Sequence, residues 1–350
     1  MEFCWKDLLQ TLEKEGRAAL CTIIERRGSV PREVGARMLV RPDGSISGTI
    51  GGGIGEHEVI KAALQNLHLG LSRELNFSLA GEQGLDSAAI CGGNFTIFIA
   101  CWEKNEDGEL AAGICVNLEQ GKTPWLLETR PQGGPGKTLR ALYNQEHRQV
   151  ITTFGKSGVP PLHLNPPTID TNPEAAVRPV EIAGLDCLLS HIIPAPQMII
   201  FGGGHLARPL VEMAVWCRFA VTVIDDRPEF SNRERFPAAD RVLTADMEDI
   251  RAFHQPGPQV YLILITREHK HDYILLKQLL GTEYAYLGMI GSRRRTSQVK
   301  QRLLDEGFSE NEIKRLCSPI GLEIGAQTPA EIAISIMAEI ILKKHQQGAR

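Results

Sequence analysis

Residues 198–230, MIIFGGGHLARPLVEMAVWCRFAVTVIDDRPEF, constrain the fold more than any other stretch of the chain. An apolar run enters a triple glycine, a segment of helical periodicity follows, and a second apolar run ends in two acids. That order predicts strand, phosphate-binding turn, helix and strand. The spacing fits the dinucleotide fingerprint with Ala207 in its third place. Gly202 serves the tight turn, Gly204 the close approach of backbone to ligand, and Ala207 the helix packing. Asp225 closes the second strand, where an acid meets a ribose hydroxyl. The alternative is a glycine turn that serves packing alone.

Beyond this stretch the βα alternation continues. Strands are expected at 241–243, 259–266 and 285–290, and helices at 247–254, 271–280 and 293–306. The expected fold is α/β: a C-terminal, Rossmann-like, doubly wound parallel sheet. In such a sheet ligands bind outside the carboxyl ends of the strands. The turn Gly202-Gly203-Gly204-His205, the loop carrying Thr266, His269 and Asp272, and the turn Ser292-Arg293-Arg294 should therefore converge on an anionic, polar ligand. His269, His271 and Asp272 match no usual zinc spacing, and arginines at a helix start ask for an anion.

The first hundred residues read differently. A short amphipathic helix is expected at 3–15 and a strand at 18–25 that runs out at Arg26, Arg27 and Gly28. A loop with Arg32 and Arg37 leads to a hairpin around Pro42-Asp43-Gly44, an N-terminal α+β pattern. This hairpin ends in Gly51-Gly52-Gly53, a second glycine turn that opens a helix and leaves backbone N–H groups free for an anion. Glu56 would cap or orient that helix. Cys91, between Ile90 and Gly92-Gly93, stands at a loop-to-strand junction where glycine N–H groups lower a thiol pKa. It is the candidate reactive or metal-contacting thiol, against the alternative of a cysteine tucked under a loop. The eight cysteines contain no CxxC pair, which argues against a zinc ribbon or a disulfide framework.

Three regions follow: residues 1–105, a strand-rich and proline-rich connecting region 106–190, and 191–350. At 350 residues the chain exceeds the size of one core. Residues 110–118, 123–128 and 149–153 read as strands. GGPGKT at 133–138 is no P-loop, because Pro131 stands where the first glycine is needed. A net charge of −4 gives no general attraction to nucleic acid, and no apolar run approaches the ~20 residues of a membrane span. The opening MEFCWKDLLQTLEKEG carries acids where a signal peptide needs bases, so a cytoplasmic protein is expected.

With these residues in view, the chain resembles the XdhC/CoxI family, the xanthine dehydrogenase accessory proteins that mature molybdenum hydroxylases. The resemblance rests on ordered blocks. They are Gly28-Ser29-Val30-Pro31-Arg32, Gly48-Thr49-Ile50-Gly51-Gly52-Gly53 with Glu56, Cys91-Gly92-Gly93, Gly202 to Ala207, Thr266 with His269 and Asp272, Ile290 to Arg294, and Pro319 to Ala326. Arg267 and Glu268 vary the loop before His269. The resemblance implies a homodimeric chaperone rather than an enzyme. Such a protein binds the molybdenum cofactor in its molybdopterin form, presents it to a cysteine desulfurase for sulfuration, and delivers it to an apo-hydroxylase. In that reading Gly202, Gly204, His205 and Arg293 hold a phosphate or pterin, Gly51–Gly53 lies across an interdomain cleft, and Cys91 contacts molybdenum or carries sulfur. The alternative is an NAD(P)-dependent oxidoreductase with Asp225 on the ribose.

Overall fold

The computed structural model describes residues 3–28, 32–78, 93–144, 149–152, 177–182, 184–250, 253, 256–267 and 269–347. The chain forms two compact units, Met1–Pro194 and Ala195–Arg350.

The first unit contains two antiparallel sheets. One has the order β3-β2-β1-β5-β4, formed by β1 (Arg17–Arg27), β2 (Arg37–Val40), β3 (Ile46–Gly48), β4 (Arg73–Ser78) and β5 (Asn94–Glu103). Its central strand β1 is apolar on both faces because both are covered. Ala19, Cys21 and Ile23 meet helix α2 (Gly53–Leu69) through Val59, Ala62 and Ala63. Ala18 and Leu20 alternate to the other face. There they meet α1 (Trp5–Glu15) and α3 (Lys104–Glu119) through Leu8, Leu12, Leu110 and Ile114.

Residues 110–118, expected as a strand, lie within α3. Leu110, Ala111, Ile114 and Cys115 recur at helical spacing and are buried, and Glu106 and Asp107 favour the helix start. Apolar content alone does not separate a buried helix from a strand.

The second sheet, β8-β7-β6-β10-β9, comprises β6 (Trp125–Thr129), β7 (Arg140–Tyr143), β8 (Gln149–Thr152), β9 (Val177–Ile182) and β10 (Leu185–His191). Leu126, Leu142, Val177 and Leu188 join the core of α1 and α3. The described part of residues 106–190 is therefore packed into the first unit. Arg140, 1% exposed, ties the layers together. It donates to Glu128 and Asp107 at 2.9 Å each and to the Cys101 carbonyl at 2.9 Å, and lies over the Trp102 ring. A buried guanidinium is tolerated only with its donors paired in this way.

The second unit is a six-stranded parallel sheet of order β13-β12-β11-β14-β15-β16. Its strands are β11 (Gln197–Phe201), β12 (Ala220–Asp225), β13 (Arg241–Thr244), β14 (Gly257–Leu264), β15 (Tyr284–Met289) and β16 (Leu316–Cys317). One face carries α4 (Ala207–Trp216) and α8 (Pro329–Gln347), packed on Met198, Ile200, Val221 and Ile263. On the other face α5 (His269–Leu279) and α6 (Arg293–Asp305) cover Ile199, Phe201, Leu262 and Leu264. A short α7 (Glu310–Arg315) is closed by a Ser309–Glu312 capping box. This is the doubly wound architecture expected from the sequence, and the strand order reverses between β11 and β14.

One expected helix, 247–254, is absent over its described residues 247–250 and 253, which form turns and irregular chain. There the Gln278 side chain donates to the Met247 carbonyl at 3.0 Å and accepts from the Ile250 N–H at 3.1 Å. A side chain of α5 thus satisfies backbone groups that a helix would otherwise pair.

Candidate functional site

In the second unit the glycine turn joins β11 to α4. Gly202 has φ +113°, and a side chain there would stand 2.5 Å from the Ile265 carbonyl oxygen. Gly203, given no role by the fingerprint, is the most confined, since its Cβ would lie 2.0 Å from the Phe230 carbonyl oxygen. Above Gly204 there is open space to 4 Å, and His205 is exposed. The N–H groups of Gly204, His205 and Leu206 have no hydrogen-bond partner among the described residues, and no side chain caps α4. Unpaired N–H groups at a helix start suit an anion, with the helix dipole aligned in its favour.

Asp225, 2% exposed, is already engaged by the protein itself. Its carboxylate accepts from the Gly203 N–H at 2.7 Å, the Arg227 N–H at 3.0 Å, and Arg227 Nε and Nη2 at 2.9 and 3.0 Å. Burial alone would raise its pKa. The Arg227 side chain and the two backbone donors outweigh that and hold the carboxyl below the usual range. The Arg227 guanidinium lies 3.8 Å from the Phe230 ring centroid, and that of Arg235 lies 5.0 Å from it. Arg235 Nε also donates to the Gly203 carbonyl at 2.9 Å. Arg227, Phe230 and Arg235 carry no signal in the sequence beyond their place after the acid.

After β14, Thr266 donates its hydroxyl to Asp272, which is fully buried and is paired on its other oxygen with Arg295. Asp272 therefore braces the loop, α5 and α6 together. His269 begins α5, but its side chain lies outside the described residues. Ser292 caps α6 by accepting from the Arg295 N–H at 3.3 Å. Arg293 pairs with Glu323 at the surface, whereas Arg294 is exposed with no partner among the described residues.

In the first unit Gly51, Gly52 and Gly53 have φ of +129°, +76° and +73°. Such a run admits only glycine for conformational reasons, since Cβ atoms at Gly52 and Gly53 would meet nothing within 4 Å. Glu56 Oε2 accepts from Thr49 Oγ1 at 2.5 Å and from the Ile50 and Gly52 N–H groups at 3.2 Å each. Thr49 Oγ1 accepts from the Gly51 N–H at 3.1 Å. Two of the three turn N–H groups are therefore already engaged. Arg37 lies over the Trp5 ring, 5.2 Å from its centroid. Cys91 and Gly92, and residues 29–31 of the first motif, lie outside the described residues.

A cavity of about 350 Å³ that the sequence did not mark opens at the ends of β1, β4 and β5, lined in part by Arg26, Arg27, Asn76, Phe77, Asn94 and Phe95. No cluster of three or more His, Cys, Asp or Glu side chains that could hold a metal occurs among the described residues.

The fold and site define a class: a Rossmann-type domain with an open phosphate-type turn, carried on one chain with an antiparallel α+β unit. Residues 198–340 match the model of the XdhC Rossmann domain, and residues 11–78 that of the XdhC and CoxI family. The chain belongs to the XdhC and CoxI family. It is 28% identical over 345 residues to a probable xanthine dehydrogenase subunit from Bacillus subtilis, covering 94% of each chain. With the molybdenum cofactor insertion chaperone PaoD of Escherichia coli it shares 24% identity, over 94% of this chain and 85% of that one. A crystal structure of a xanthine dehydrogenase from Bacillus halodurans superposes with a TM-score of 0.81 at 26% identity, covering 98% and 96% of the two chains.

Proposed function

We propose that this protein is an accessory chaperone that binds the molybdenum cofactor, supports its sulfuration by a cysteine desulfurase, and inserts it into a xanthine dehydrogenase-type hydroxylase. The observation that carries the reading is the correspondence with a molybdenum cofactor insertion chaperone along nearly the whole chain, through both units. The chemistry of the second unit fits the group. Molybdopterin carries a terminal phosphate, and Gly204, His205 and Leu206 offer three N–H groups without a partner among the described residues, with open space at Gly204 and Arg294, likewise without a described partner, in the first turn of α6 after β15. Bound there, the cofactor would supply the redox-active metal centre of the recipient enzyme. This chain's own part is to hold the phosphate and shield the group until transfer. Cys91 is the thiol we assign to contact with molybdenum or to sulfur carriage, and a homodimer in the cytoplasm is the assembly that fits this role.

The alternative, an NAD(P)-dependent oxidoreductase, is favoured by the strand order and the glycine spacing. Against it stands Asp225, whose oxygens are filled by protein donors. Mass spectrometry of protein purified from cells that make the cofactor separates the two. The expected result is a retained molybdopterin and no nicotinamide nucleotide. Retention of NAD(P) with no pterin would overturn the proposal.

A further inference from the structure

A dinucleotide on a doubly wound sheet straddles the switch point. Its pyrophosphate sits on the glycine turn, one nucleoside lies against the acid at the end of the second strand, and the other lies over the far half of the sheet. In this protein the first of those two places is built over by its own chain. The Phe230 carbonyl stands where any side chain at Gly203 would go. Arg235 donates to the carbonyl of Gly203 and Asp225 accepts from its N–H, so the peptide groups on both sides of this residue are engaged. The Phe230 ring is held by the Arg227 and Arg235 guanidiniums, and Arg227 occupies the acid that a ribose diol would need. At Gly204, by contrast, a Cβ would meet nothing within 4 Å, and among the described residues the N–H groups of Gly204, His205 and Leu206 have no partner.

We infer that the Phe230 loop is a specificity plug: the second unit accepts a ligand that ends in its phosphate and extends one way only, and it excludes dinucleotides. A phosphomonoester such as the mononucleotide form of a pterin cofactor fits this geometry. NAD(P) and a nucleotide-extended pterin do not. The inference rests on the proposed cofactor role for its natural ligand, whereas the exclusion of dinucleotides stands apart from that role. The acid that normally marks a dinucleotide site here locks the plug in place.

The test is equilibrium binding to the full-length protein and to two variants, Phe230→Ala and Arg227→Gln, each first checked for a cooperative thermal transition. NADH is followed by its fluorescence, and the mononucleotide and dinucleotide forms of the molybdenum cofactor by retention. The wild-type protein is expected to bind NADH and the dinucleotide cofactor at least 100-fold more weakly than the mononucleotide cofactor. At least one folded variant is expected to gain tenfold or more for NADH. Wild-type binding of NADH, or of the dinucleotide cofactor, within threefold of the mononucleotide would overturn the plug. So would a wild type and two folded variants that all refuse NADH equally. If the wild type retains neither cofactor form while a variant gains NADH binding, the plug holds and the cofactor role fails.

Discussion

The two glycine turns are alike in outline and opposite in construction. Each ends a strand, opens a helix and is latched by a carboxylate: Glu56 on Gly52 in the first unit, Asp225 on Gly203 in the second. At Gly51–Gly53 the glycines are required by backbone conformation, with space left around Gly52 and Gly53. At Gly202 and Gly203 they are required by neighbouring backbone, and only Gly204 faces open space. Glycine runs that look interchangeable in a sequence thus answer different physical demands. Of the two, the turn at 202 leaves three consecutive N–H groups without a partner among the described residues, whereas that at 51 has committed two of three to Thr49 and Glu56.

The largest effect should come from the buried latch. Asp225→Ala leaves the Gly203 N–H and the Arg227 guanidinium without their acceptor, at a cost of about 3 kcal/mol or more in denaturant unfolding of the second unit. A loss below about 1 kcal/mol would mean the latch is dispensable. The same carboxylate sets a pH dependence. Its folded pKa lies below the ordinary value of 3.8, so its contribution is full above the unfolded pKa. It is lost as pH falls from about 4 through the lower folded value. Asp225→Asn should flatten the acid limb of the stability profile in that window.

Gly203→Ala comes next, at about 2–3 kcal/mol, because backbone of Phe230 must move to admit the methyl group. Gly52→Ala should cost less, about 1–2 kcal/mol, since only strain at φ +76° opposes it. A cost above that of Gly203→Ala would reverse the comparison between the turns. Smallest in stability is Gly204→Ala, expected within about 0.5 kcal/mol of wild type. Yet it should weaken retention of a phosphorylated pterin tenfold or more by crowding the approach to the N–H groups. Unchanged retention would move the phosphate elsewhere.

Much of this was legible in the sequence. The apolar runs of β11, β12 and β14, alternating with helical segments, predicted a doubly wound parallel sheet, and the glycine turn and helical periodicity located most of its helices. The first-unit hairpin and Glu56 as the organiser of its helix were equally readable, because each depends on residues within a few positions. The misses have a common cause. Residues 110–118 are helical because α1 packs on them, and 247–250 are turns because Gln278 takes their backbone groups. Arg140, which carries no special mark in the sequence, is buried because Glu128 and Asp107 close around it.

The acid at 225 draws the line most sharply. Local pattern alone determined that a strand ends there, that a glycine turn lies beside it, and that the domain is doubly wound. Only the tertiary structure decided that this carboxylate accepts from Arg227 and the Gly203 N–H, and that the Phe230 carbonyl lies against Gly203 while Gly204 faces open space. Periodicity is written in neighbouring residues, whereas the occupancy of a hydrogen-bonding group depends on whichever distant backbone the fold brings to it.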